Sequence, residues 1–187
     1  MMQLDDFNFL KSIDREKMHL ILSNFPEQCK QSINIGKEES KKLLTGEKDS
    51  FEKIVVCGLG GSAIGGDILK TIFSESKIVI DVSRDYHLPS FVDEKTLVFA
   101  ISYSGNTEET ISSFKEAVER GCRVISISSG GELERLSREK EVAHIKIPSG
   151  FPPRCAIGFL TIPCLMLVEK ITGINLTDTK ELVEVLS

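Results

Sequence analysis

Five short apolar runs recur along the chain with helix-length segments between them: KIVVCG from residue 53, KIVIDVS from 77, TLVFAIS from 96, RVISIS from 123 and AHIKIP from 143. Each run is rich in β-branched residues and nearly continuous in its hydrophobicity, the pattern of a strand covered on both faces. The segment TEETISSFKEAVERG sets Ile111, Phe114 and Val118 on one helical stripe and stops at Gly121. GELERLSREK reads as a shorter helix. Parallel neighbours need crossover connections, and helices supply them while covering the sheet. The sequence therefore predicts a doubly wound α/β domain, a parallel sheet with helices on both faces. A chain of 187 residues suits one such domain.

The ends of the chain read differently. Met18, Ile21, Leu22 and Phe25 mark one face of a first helix that should end near Pro26, a second helix is expected over 38–44, and residues 46–50 read as a turn. Residues 1–50 are thus expected to form a helical arm packed on a domain spanning 51–187. The last long element, AIGFLTIPCLMLVEKI from residue 156, is apolar almost all round, with a kink expected at Pro163. A helix with no polar face is buried on every side. It is either a central core helix or one covered by a partner chain or second domain, and a homodimer through it is expected. No internal repeat or low-complexity segment interrupts the pattern.

A net charge of −5 argues against nucleic acid or an anionic membrane as partner, since both require a basic patch. The five cysteines are odd in number, widely spaced and mostly flanked by apolar residues. They read as reduced thiols of a cytoplasmic protein, without zinc-ligand spacing. The first seventeen residues are polar, unlike a signal peptide, and no apolar run reaches membrane-spanning length.

Two loops carry the chemistry. SYSGNTEET, residues 102–110, runs from a strand end into a helix start. Ser102, Ser104 and Thr107 supply hydroxyl donors, Gly105 lets the backbone approach a ligand, and the helix N-terminus attracts an anion. A phosphate fits that supply of donors. Helix capping, with Asn106 and Glu109 as a capping box, explains only one or two of these residues. The second loop, GLGGSAIGGD at 58–67, fits a dinucleotide fingerprint through Gly58, Gly60 and Ala63, with Asp81 closing the next strand as a ribose acid. Against that rival, Gly65 and Gly66 leave the first helical turns poor in side chains, which suits close packing or a bulky sugar. A dinucleotide also leaves the hydroxyl loop without a role.

Taken together, the loops resemble the sugar isomerase (SIS) domain family, whose phosphate loop reads S-x-S-G-x-T. GLGGSAIGGD and PSGFPPRCAIG (residues 148–158) are similar to the amino-terminal half of the bifunctional phosphoglucose/phosphomannose isomerases, over residues 51–171. The resemblance implies an SIS-type three-layer sandwich, flavodoxin-like or Rossmann-like. It implies that Ser102, Ser104 and Thr107 grip a sugar phosphate and that Gly61 and Ser62 contact sugar or phosphate. Arg154 would stabilise the oxyanion of an enediolate; read without the resemblance, it is an ordinary salt bridge at a helix start. The implied substrates are fructose 6-phosphate, glucose 6-phosphate and mannose 6-phosphate, interconverted without metal or cofactor. Family isomerases carry two such domains, and the glutamate base, the ring-opening histidine and a lysine come from the second. This chain is therefore expected to be the first half of such an enzyme, with its apolar helix uncovered. The alternative is a stand-alone domain that senses a phosphosugar, regulates a partner and catalyses nothing.

Other titratable groups rank lower. Glu108 and Glu109 read as partners of the helix dipole that point away from a phosphate. His87 follows a strand end, but a loop histidine is more often a surface residue. His19 and His144 read as structural, and Asp67 as a cap or packing residue near the glycine loop. Arg84 and Asp85 stand after the second strand, beside the expected pocket.

Overall fold

Ile54 and Val56 of β1 (Lys53–Cys57) turn to one side of the sheet, and Val55 and Cys57 turn to the other. All four are fully buried, so both faces of this strand are dry. The same holds for β3 (Thr96–Ile101), buried at every position. With β2 (Val79–Ser83), β4 (Arg123–Ser128) and β5 (Ala143–Lys146) they form a five-stranded, all-parallel sheet in the order β2-β1-β3-β4-β5. The computed structural model describes residues 6–43, 51–175 and 178–185.

Helices cover each face. α5 (Glu108–Glu119) and α6 (Gly131–Glu139) pack Phe114, Leu133 and Leu136 on one side. α4 (Gly61–Ile72) and α7 (Ile157–Thr172) pack Leu69, Phe159, Leu160, Leu165 and Val168 on the other. Full burial of one such side chain contributes about 1.5–3 kcal/mol, so these two layers supply most of the hydrophobic driving force. The expected doubly wound fold with helices on both faces is what the chain forms.

The N-terminal arm departs from expectation. α1 (Phe7–Ile13) and α2 (Met18–Ser23) are short, and a single helix α3 (Phe25–Leu43) follows. Pro26 opens α3 instead of ending its predecessor, because the first turn has no intrahelical use for the N–H that proline lacks. Leu22, expected on a buried stripe, is exposed. The turn expected at 46–50 lies outside the described residues. A final helix, α8 (Thr179–Val185), had no sequence expectation and packs against α3.

α3 resolves the choice left open for the apolar helix. Cys29 and Ile33 of α3 bury against Ile162 of α7, and Gly36 lets α7 come so close that a Cβ there would stand 2.6 Å from the Met166 sulfur. α7 is a core helix, clasped between the sheet and this chain's own arm, and it runs unbroken through Pro163. The face expected to be uncovered is buried within this chain, under Cys29 and Ile33.

Candidate functional site

The strand order fixes where a ligand can sit. β1 leads through α4 to β2 on one side, and β3 leads through α5 to β4 on the other. The connections diverge between β1 and β3, and a crevice opens beyond their carboxyl ends. Both loops singled out in the sequence lie there, one after each strand.

The loop after β3 is built around Ser102, which is fully buried. Its Oγ accepts from the N–H groups of Gly105 (3.1 Å) and Thr107 (3.4 Å) and lies 2.8 Å from Thr107 Oγ1. A hydroxyl has two acceptor positions and one proton. With both acceptor positions used, the Ser102 proton goes to Thr107 Oγ1, which leaves the Thr107 proton available outward. Ser104 is exposed, and its Oγ accepts from Asn106 N–H at 3.2 Å. Thr107 is the N-cap of α5 and makes no side-chain capping bond. The first-turn N–H groups of α5 therefore face the crevice with no side-chain cap.

The expected capping box is absent. Asn106 reaches across to α6 instead, where its Oδ1 accepts from Glu132 N–H at 3.0 Å. The Gly105 carbonyl accepts from Leu133 N–H at 2.9 Å, so the loop caps its neighbour and leaves its own helix open. Gly105 is required here on two counts: its φ is +73°, and a Cβ would collide with the Gly130 carbonyl oxygen at 1.7 Å.

The glycine loop meets this cradle through Ser62, whose Oγ accepts from Tyr103 N–H at 3.4 Å. Gly61 backs onto the third element: a Cβ on it would stand 3.2 Å from the Pro153 carbonyl oxygen and 3.5 Å from Arg154 Cα. Arg154 lies in a single 3-10 turn, Pro153–Cys155, ahead of α7. Its side chain is exposed and contacts the Met18 sulfur at 3.5 Å. Among the described residues no carboxylate lies within ion-pair distance of it, so the ordinary salt bridge is not formed. The structure thus gathers Gly61, Ser62, Ser102, Ser104, Thr107 and Arg154 at one end of the sheet.

Gly65 and Gly66 serve packing. A Cβ on Gly65 would press on Thr161 Oγ1 at 2.6 Å and one on Gly66 on Val56 at 2.9 Å, so both serve close contact of α4 with α7 and the sheet. Asp81 does not close its strand as a ribose acid would. It sits in the middle of β2, opposite Val55, with its carboxylate on Lys70 at 3.0 Å. The dinucleotide reading loses its acid.

The other candidates divide cleanly. Asp67 and Arg84 pair with each other in a half-exposed ion pair. The Asp85 carboxylate accepts from Tyr86 N–H at 2.6 Å, and its carbonyl accepts from Ser113 Oγ. His87 is exposed and turns to Glu116, two turns along α5, so it does not face the crevice. Glu108 lies 3.4 Å from the Tyr86 hydroxyl, and Glu109, with burial and Glu108 adding to it, holds that phenol above its usual range. His19 sits on Asp14 at 2.5 Å, and His144 bonds Ser126 Oγ at 2.8 Å with its pKa lowered by burial. All five cysteines are free thiols, and burial pushes Cys57 up to about 12.

Two functional neighbours escaped the sequence reading. Gln28 of α3 is buried; its Nε2 donates to the Cys155 carbonyl at 2.9 Å and its Oε1 accepts from Gly158 N–H at 2.8 Å. It clamps the turn that carries Arg154. Tyr103, buried between Ser102 and Ser104, does the same from the other side. Nothing local marks either one, because their partners lie far away in the sequence.

This fold and crevice define a class: a doubly wound α/β domain with a hydroxyl-rich loop and an uncapped helix start at its switch point. The family follows from comparison. A model described as the SIS domain matches residues 50–151, and the chain belongs to that family. It is 44% identical over 167 residues to the bifunctional phosphoglucose/phosphomannose isomerase of Caldicellulosiruptor bescii, covering 88% of this chain and 48% of that protein. It is 46% identical over 116 residues to the enzyme of the same name from Thermoplasma acidophilum, covering 62% of this chain and 36% of that one. The chain spans about half the length of the curated relatives it matches. Among solved structures, tagatose-6-phosphate ketose/aldose isomerase from Escherichia coli shares the fold with a TM-score of 0.66 at 17% identity, over 89% of this chain and 50% of that one.

Proposed function

We infer that the chain is the phosphosugar-binding half of a bifunctional phosphoglucose/phosphomannose isomerase. The observation that carries this reading is the uncapped first turn of α5, flanked by the Ser104 and Thr107 hydroxyls, at the switch point of the sheet. The amides and hydroxyls there take the phosphate of fructose 6-phosphate, glucose 6-phosphate or mannose 6-phosphate. Ser102 shapes the cradle from beneath, and Ser62 and the Gly61 backbone line its side.

Isomerisation moves a proton between adjacent carbons through an enediolate, and negative charge gathers on the oxygen of the carbonyl carbon. A guanidinium held over those carbons stabilises that charge most where it is greatest. Among the described residues Arg154 has no competing carboxylate, and it backs onto Gly61, which supports this role. The proton-transfer groups belong to a second SIS domain paired with this one. Relatives about twice as long at 40–46% identity support that pairing over the stand-alone regulator. Residues 1–50 then serve as an arm of the domain at 51–187, and the free thiols suit the cytoplasm.

The full-length gene product should interconvert fructose 6-phosphate with glucose 6-phosphate and mannose 6-phosphate in a coupled assay, while the 187-residue chain binds these esters and turns them over hardly at all. Ordinary enzymic turnover by the isolated chain would overturn the two-domain reading.

A further inference from the structure

We propose that Tyr103 is a positioning residue that ties the phosphate cradle to Arg154. The inference rests on the isomerase reading above and adds a coupling that the reading does not contain. Tyr103 is embedded in the cradle, with Ser102 before it and Ser104 after it. Its backbone N–H donates to Ser62 Oγ at 3.4 Å, and its carbonyl accepts from Ser129 N–H at 2.9 Å and Ser129 Oγ at 2.7 Å. The backbone of this one residue therefore joins the glycine loop, the cradle and the end of β4.

The side chain goes elsewhere. It runs into the core to the connection between β5 and α7. There the phenol oxygen accepts from Phe151 N–H at 2.7 Å and donates to the Pro148 carbonyl at 3.3 Å. Donor and acceptor are both used, and the residue is buried. Only Pro152 and Pro153 separate Phe151 from Arg154. Two prolines fix two φ angles, so the position of the Phe151 amide is passed on with little slack. The Phe151 ring is itself held edge-on against Phe159 of α7, their centroids 5.4 Å apart. Arg154 is thus located from three sides: Gly61 behind it, Gln28 at the next residue, and Tyr103 three residues before it.

A rigid link of this kind matters because the phosphate and the reacting carbons lie at opposite ends of the substrate. The cradle fixes one end, and the guanidinium acts at the other. An error of an ångström between them removes most of the benefit of a fixed charge. The Tyr103 hydroxyl touches no substrate. It sets the distance between two groups that do.

Tyr103→Phe deletes one oxygen and keeps the ring. Calorimetry on the chain compares fructose 6-phosphate, which uses the cradle, with a five-carbon aldonic acid 5-phosphate, whose planar carboxylate imitates the enediolate and calls on Arg154. The variant should bind fructose 6-phosphate within about threefold of wild type and the aldonate about tenfold more weakly. In an Arg154→Ala background, Tyr103→Phe should cost no further aldonate affinity. A purely structural tyrosine would weaken both ligands together, with additive effects, and that result overturns the proposal, as does unchanged aldonate binding. If the variant fails to fold, the wild-type chain is read by hydrogen exchange. The Phe151 amide should exchange about tenfold more slowly when inorganic phosphate saturates the cradle, and unchanged exchange overturns the link. Failure of wild type to bind either ester counts against the isomerase reading; wild-type binding with an indifferent Tyr103→Phe counts against the link alone.

Discussion

Ser102 and Thr107 hold their hydroxyl oxygens 2.8 Å apart at the start of α5, and the N–H groups that Ser102 accepts favour Ser102 as the donor. Its oxygen already accepts from Gly105 and Thr107 N–H groups, so it donates, and Thr107 keeps a proton for a ligand. The two hydroxyls play different parts: one builds the loop and the other serves it.

That division has a measurable consequence. Thr107→Val and Ser104→Ala should each weaken hexose 6-phosphate binding about tenfold, the worth of one hydrogen bond to a charged group, with little change in melting temperature. Ser102→Ala takes the side-chain acceptor from the Thr107 N–H and leaves the Gly105 N–H with the Ser102 carbonyl alone. It should lower stability by about 1–3 kcal/mol as well as affinity, read by chemical denaturation beside calorimetry.

Gly105 and Gly121 have the same φ of +73° and different surroundings. A Cβ at Gly121 meets nothing within 4 Å, whereas one at Gly105 strikes the Gly130 carbonyl. Gly121→Ala should cost about 1 kcal/mol of stability, the ordinary penalty of a left-handed non-glycine residue. Gly105→Ala should cost more than that and abolish phosphate binding, because the loop must leave α6 to make room.

Gln28→Ala should destabilise the chain by about 2 kcal/mol, since it leaves the Gly158 N–H and the Cys155 carbonyl buried without a partner. The same variant should loosen the turn at Arg154. If denaturation shows no loss, α3 is not the clamp described.

His144 predicts a pH dependence. Burial, with the charges of Lys146 and Arg138 in support, lowers its folded pKa below 6.5, while Glu134 and Glu39 pull the other way. The unfolded chain then takes up the proton first, so this contribution to stability is complete above pH 6.5 and is lost as pH falls below it. The melting temperature should decline from pH 7 to pH 5, and His144→Gln should flatten that decline.

The sheet, its helices and the place of the hydroxyl loop between β3 and α5 were legible in the sequence because their signals are local: β-branched runs, a 3.6-residue stripe, hydroxyls and a glycine between strand and helix. What was misread depended on distant partners. Pro26 looked like a helix end because nothing nearby shows that it stands in the first turn of α3. The apolar helix looked uncovered because its cover, Cys29 and Ile33, lies more than a hundred residues earlier. Asn106 looked like a cap for its own helix, and its partner belongs to α6. Tyr103 and Gln28 carry no motif, and only the folded chain brings them to Pro148, Phe151, Cys155 and Gly158.

The central claim is that the amides and hydroxyls at the head of α5 form a cradle for a phosphate ester. The most direct measurement is a titration of the isotopically labelled chain with fructose 6-phosphate, followed by amide NMR. The largest shifts should fall on residues 104–110 and on Ser62, saturating together, with NAD producing none there. Shifts confined to other parts of the chain, or a response to NAD centred on Gly58, Gly60 and Asp81, would contradict the account.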